Sequence, residues 1–231
     1  MKKNEEMIKD CGGIEKPNND TELVFIIDRS GSMSGFEDDT IGGFNSMLAK
    51  QKDGEGDVLV STVLFDDRCQ VLHDRLHIQE IKPMTEKEYY VRGCTALLDA
   101  VGGAVHHIGN IHKYAREEDR PSKTLFVIIT DGMENSSKHY DYAKVKQMIE
   151  RQQERYGWEF MFLGANMDAI GEARRFGIKE HMAAEYLCDE VGTDLNYKAI
   201  NEVICGVRAC RTVGAEWKAN IEKDVAKRRR R

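Results

Sequence analysis

Leu23-Val24-Phe25-Ile26-Ile27-Asp28-Arg29-Ser30-Gly31-Ser32-Met33 is the stretch whose reading decides the fold. Five consecutive apolar residues, four of them β-branched or aromatic, read as a strand buried on both faces, the kind found inside a parallel sheet. The run stops at an aspartate, followed by two hydroxyls spaced two apart around a glycine. Carboxylate and hydroxyls thus sit where a central strand ends, the place where open α/β sheets bind ligands. A carboxylate with neutral oxygens is a hard-ligand set, suited to Mg²⁺ or Mn²⁺ rather than zinc.

Working outward, Thr124-Leu125-Phe126-Val127-Ile128-Ile129-Thr130 is a second continuous strand, and it too ends in aspartate, at Asp131-Gly132. Between the two, Gly93-Cys94-Thr95 precedes an apolar stripe (Leu97, Val101, Ala104, Ile108, Ile111) with a period of about 3.6, which places Thr95 at a helix N-terminus. An earlier helix carries Ile41, Phe44, Met47 and Leu48, with Gly42-Gly43 inside it, a feature that close packing against the sheet would rationalise. Val58–Phe65 and Cys69–Ile78 are separated by only three residues, too few for a parallel crossover, so they predict a hairpin and one antiparallel edge strand. Its alternation puts His73 and His77 on one face, read as solvated edge residues. A helix over Asp141–Arg155 closed by Gly157, a strand over Trp158–Leu163, a short helix from Asp168, a strand at Ala183–Leu187 and a helix over Thr193–Arg211 complete the pattern. Strand and helix alternate, so the expected fold class is α/β: a doubly wound, mostly parallel sheet with one antiparallel edge strand and helices on both faces.

Asp28-x-Ser30-x-Ser32, the later Thr95 and the later Thr130-Asp131-Gly132 together resemble the metal-ion-dependent adhesion site of von Willebrand factor A domains. The likeness covers roughly residues 20–212, and no position of the five-residue pattern is degenerate. It implies that Ser30, Ser32 and Thr95 hold the ion directly or nearly so, and that Asp28 and Asp131 act mostly through bound water. It also implies Mg²⁺ (or Mn²⁺) as cofactor, and a protein partner whose Asp or Glu carboxylate completes the coordination. The chain looks like a small stand-alone, intracellular bacterial member of that family.

At 231 residues the chain suits one such domain over 21–212, with a flexible lead-in at 1–20 and a C-terminal tail at 213–231 that ends in basic residues. A domain of that size buries roughly 70% of its unfolded surface, so neither a disulfide nor a structural metal is needed for stability. Net charge is −6, and the last five residues are all basic, which leaves −11 on the remainder. An acidic body makes nucleic acid a poor partner. The terminal basic run is expected to be a solvated end. Six cysteines without a Cys-x-x-Cys pair, no secretory segment and no apolar run near the ~20 residues needed to span a bilayer point to a cytoplasmic protein, not a membrane one. Nothing demands more than a monomer.

Each candidate ligand has a bland reading: Ser30 and Ser32 as helix-capping turn residues, Thr95 as an N-cap, Asp131-Gly132 as a turn. Their joint placement around one crevice is what favours a metal site. Asp99 reads equally as a support for the site loops or as a carboxylate near a helix dipole. Glu134 and Asn135 read as solvated loop residues at the rim, and Arg29 is expected to point away from the ion. No nucleotide loop, dinucleotide fingerprint or nucleophile triad is present in the sequence. The expected function is therefore non-enzymatic: a divalent-metal-dependent protein-binding module. Two alternatives remain, a metal-assisted phosphohydrolase and a structural scaffold without metal dependence.

Overall fold

A computed structural model describes residues 20–229. The long apolar runs form the strands that their composition dictates: β1 (Thr21–Asp28) is buried along its whole length, and β4 (Lys123–Thr130) from Thr124 onward. With β2 (Val58–Phe65), β3 (Cys69–His77), β5 (Glu159–Ala165) and β6 (Ala183–Tyr186) they make one six-stranded sheet of order β3-β2-β1-β4-β5-β6. Every pairing is parallel except β2 with β3. Helices α1 (Glu37–Lys52), α2 (Leu97–Tyr114), α3 (Tyr142–Tyr156) and α4 (Ala169–Arg175) supply the crossovers, and α5 (Glu190–Arg208) follows the last strand. α1 packs beside α5, and α2 beside α3, so the sheet is covered on both sides.

This topology positions the candidate site. From β1 the chain first moves outward to β2 and β3, then α2 carries it back across to β4 on the other side of β1. The strand order therefore reverses between β1 and β4, and the crevice beyond their carboxyl ends is the natural ligand position. Ile27 lies beside Ile129 and Asp28 beside Phe65, so β1 and β4 finish level with one another.

Several local expectations are met. Gly157 closes α3 in the left-handed region (φ 64°), its N–H bonding Gln153 and Gln152 carbonyls as in a helix C-cap. Phe44, Met47 and Leu48 of α1 and Leu97, Val101, Ala104 and Ile108 of α2 are buried in the core. Among the described residues, Cys69, Cys94, Cys188, Cys205 and Cys210 are free thiols, and no helix is long and apolar enough to cross a membrane.

Other details differ, each for a physical reason. Gly43 does not admit the sheet: a Cβ there would lie 2.2 Å from the Tyr197 ring, so the glycine lets α5 approach α1. His73 is buried and hydrogen-bonds Thr62 Oγ1 at 3.0 Å, whereas His77 is half-buried and meets Asp57 Oδ1 at 3.2 Å. An irregular β2–β3 register and Arg75 at φ 50° break the simple alternation between the two histidines. Burial holds the His73 imidazole below its usual range.

The C-terminal segment is not wholly solvated. Residues Ala219–Arg228 form a helix, α6, that packs against β6 and α5 and buries Ile221 and Val225, with Trp217 buried just before it. Arg228 pairs with Asp189 and Asp224, and Arg229 with Glu185. The basic run thus begins as the last turn of a docked helix. The lead-in read at 1–20 lies, apart from Asp20, outside the described residues, as do Arg230 and Arg231.

Candidate metal centre

β1 delivers Asp28 to the crevice as its last residue, 0% exposed. One carboxylate oxygen accepts the Ser30 backbone N–H at 2.7 Å, and the other accepts the Thr130 hydroxyl at 2.6 Å. Ser30 Oγ lies 3.1 Å from Ser32 Oγ, and Ser32 Oγ donates to Asp131 Oδ1 at 2.6 Å. The fold thus joins Asp28, Ser30, Ser32 and Asp131, drawn from both ends of a 99-residue separation, in one hydrogen-bonded array. Thr95 is buried beside them. A Cβ on Gly132 would sit 2.5 Å from Thr95 Oγ1 and 3.4 Å from Asp28 Oδ2, so only glycine lets the β4–α3 loop pass this close.

The surrounding loops are fastened to one another. Arg92 N–H bonds the Arg29 carbonyl at 2.9 Å and Gly31 N–H the Gly93 carbonyl at 3.2 Å, which ties the loop after β1 to the approach to α2. Buried Tyr89 donates its hydroxyl to the Asp28 carbonyl at 2.7 Å. Arg29 turns away from the crevice, as expected: its Nε bonds Asp66 at 2.8 Å and its Nη1 bonds Gln70 at 2.8 Å. Burial alone would raise the Asp66 carboxyl, but hydrogen bonds from Arg92, the Arg68 N–H and Arg29 outweigh it and hold the group below the usual carboxylate range.

The two site carboxylates behave in the opposite way. Burial pushes Asp28 up to about 6, against hydrogen bonds from Thr130 and Ser30, with Asp131 adding to the rise. Burial likewise raises Asp131, opposed by Ser32. Among the described residues neither forms an ion pair. Two neighbouring carboxylates without a counter-charge, Asp28 buried and Asp131 half-buried, ringed by neutral hydroxyls, fit a hard divalent cation. The hydroxyls define the candidate: no group of three or more His, Cys, Asp or Glu among the described residues is placed to hold a metal.

Four further residues take roles that the sequence leaves open. Thr130 lies inside the quoted Thr-Asp-Gly, but only the strand register shows its hydroxyl on Asp28 and bridging Gly132. Asn135 and Glu134 are not loosely solvated: Asn135 Oδ1 accepts Thr95 N–H, and Glu134 Oε2 accepts Leu98 N–H. Asp99 accepts three backbone N–H bonds from Lys138, His139 and Tyr140. Beside the site, a 590 Å³ cavity opens between the β2–β3 turn, the start of α2 and the β4–α3 loop, lined by Asp67, Arg68, Ser136 and Lys138 among others.

No protein-family model matches the chain, and no curated protein does. Solved structures do. A mussel byssus protein, proximal thread matrix protein 1 with a zinc-occupied MIDAS motif, superposes with TM-score 0.55 at 14% identity over 80% of this chain and 46% of its own. A von Willebrand factor type A structure from Catenulispora acidiphila matches with TM-score 0.52 at 14% identity, covering 79% of this chain and 42% of that one. Manganese-loaded TRAP protein from Plasmodium vivax matches with TM-score 0.54 at 15% identity, over 77% and 72%. At such identities the likeness shows the fold, the Rossmann-like fold of von Willebrand factor A structures. The chain spans less than half the length of the mussel and Catenulispora proteins.

Proposed function

We propose that this chain is a divalent-metal-dependent protein-binding module, in which Asp28, Ser30, Ser32, Thr95 and Asp131 hold Mg²⁺ or Mn²⁺. The observation that carries this reading is the buried Asp28 and half-buried Asp131, carboxylates without an ion pair among the described residues, set among hydroxyls where the strand order reverses. A cation bound there supplies an electrophilic contact for an anionic oxygen, and the natural donor is an Asp or Glu carboxylate on a partner protein. The chain's own residues do the rest. Asp28 and Asp131, acting mostly through bound water, would neutralise the ion incompletely at close range, and Ser30, Ser32 and Thr95 add no charge. Thr130 and the Ser30 N–H hold the Asp28 carboxylate in one orientation. Two solved structures of this fold carry a divalent metal, one zinc and one manganese, which supports a divalent ion as the ligand.

The same reading takes residues 21–212 as the module, as a monomer of the intracellular bacterial kind, working in the cytoplasm without catalysis. Against a phosphohydrolase, Arg29 is fully buried on Asp66 and Gln70, so its guanidinium is not presented to a phosphate at the metal.

Thermal unfolding of chelator-stripped protein against added Mg²⁺ and Mn²⁺ tests the site. A ligand bound only by the folded state adds about 2.7 kcal/mol of stability at a hundredfold excess over its dissociation constant. A raised midpoint in the wild type, absent in Asp28→Ala, supports the reading. An unmoved wild type favours a scaffold, and phosphate-ester hydrolysis lost in the same variant would make it an enzyme.

A further inference from the structure

We infer that Asn135 is a positioning residue for the metal centre, acting through Thr95; the inference rests on the metal-binding reading above. Thr95 precedes the first helical residue of α2, Leu97, so its backbone lies outside the helix that would otherwise fix it. The residue at the N-cap position, Ala96, has no side chain able to cap. The missing caps come from a loop about forty residues further along. Glu134 accepts from Leu98 N–H at 2.8 Å, and Ser137 Oγ accepts from Asp99 N–H at 2.9 Å, which holds the helix itself.

Among the described residues, Asn135 alone hydrogen-bonds the Thr95 backbone. Its Oδ1 accepts Thr95 N–H at 2.9 Å, and its backbone N–H donates to the Thr95 carbonyl at 3.1 Å. Both peptide groups flanking the Thr95 Cα are thereby fixed by one residue, and with them the direction in which the side chain leaves the backbone. Asn135 is solvent-exposed, where an amide usually bonds water, yet its acceptor faces inward. It also stands four residues after Asp131 in a loop whose turn is tied by Glu134 to the Ser136 and Ser137 N–H groups. One short loop therefore carries the Asp131 carboxylate and sets the Thr95 hydroxyl, the two being brought into register by the close pass at Gly132.

The assignment is distinct from a general stabilising role, because it requires the effect of Asn135 to travel through Thr95. The test is a double-mutant cycle on the full chain, reading the Mn²⁺ dissociation constant by electron paramagnetic resonance, with the metal-free unfolding midpoint as a fold control. Asn135→Ala is expected to weaken Mn²⁺ binding about tenfold or more, the usual cost of losing a partner behind a ligand. In a Thr95→Ala background the same substitution is expected to change nothing further. Asn135→Asp, which keeps an acceptor for the Thr95 N–H, is expected to bind at least as tightly as wild type. Amide exchange at Thr95 gives a second readout, accelerated by Asn135→Ala while β1 amides stay protected. Unchanged affinity in Asn135→Ala, equal losses in both backgrounds, or unchanged exchange at Thr95 overturns the assignment. A wild type that does not bind Mn²⁺ overturns the metal reading and this assignment with it, an outcome distinguishable from the others because it appears before any substitution is made.

Discussion

Gly132 sets the tightest tolerance in the proposed metal centre, because any Cβ there meets the Thr95 hydroxyl at 2.5 Å. Gly132→Ala should therefore lower Mn²⁺ affinity at least about tenfold and cost roughly 1–3 kcal/mol of stability from overpacking, read by titration and by urea unfolding. Asp28 poses the opposite problem. Its folded-state value of about 6 lies above the unfolded one, so without metal its ionised form penalises the fold increasingly as pH rises through that value. Asp28→Asn removes the charge while keeping the shape. Under chelation at pH 8 that variant should be more stable than wild type by on the order of 1–2 kcal/mol, and should lose its response to Mg²⁺. A chelated wild type that outlasts the variant would count against this account. Asp28, Ser30, Ser32 and Asp131 are legible in the sequence because each marks the end of an unbroken apolar run. Thr130 and Tyr89 are not, since their contacts with Asp28 cross between strands and loops 102 and 61 residues apart.

Among the elements, α2 depends most on residues outside itself. Its periodicity announces the helix, but its start is fixed by side chains of the β4–α3 loop, and nothing local in Gly93-Cys94-Thr95 records that dependence. Asp99 returns the favour by accepting three N–H groups of residues 138–140. Burial raises its carboxyl, yet those three donors prevail and hold it below the ordinary range. A depressed carboxylate stabilises fully above its unfolded value of about 3.9 and loses that contribution as pH falls through its lower folded value. Asp99→Asn should thus lower the urea midpoint at pH 7, and the gap from wild type should close towards pH 2–3. A gap independent of pH would refute the clamp. The β3 strand shows where pattern reading fails: alternation assigns His73 and His77 one environment, and a register irregularity gives them two.

Over the whole molecule, the sheet and its strand order follow from composition, since two-sided burial demands the continuous apolar runs that the sequence displays. The C-terminal helix does not announce itself in this way. Its apolar side chains are few, Trp217, Ile221 and Val225, and charge surrounds them, so the segment reads as solvated until a surface for it is known. Removing residues 214–231 should cost several kcal/mol, at roughly 1.5–3 kcal/mol for each large buried side chain, and should lower the thermal midpoint measurably. A truncated protein as stable as the full chain would show the docking to be incidental. The position of α6 has one more consequence. It lies against β6, one border of the sheet, with the Lys218 ammonium on the Ala183 carbonyl, whereas β3 forms the other border with Val71 and Leu76 exposed. The two borders are therefore unequal as templates for an added strand: one at β6 would first have to displace the Lys218 ammonium from its carbonyl, whereas one at β3 would meet exposed apolar side chains.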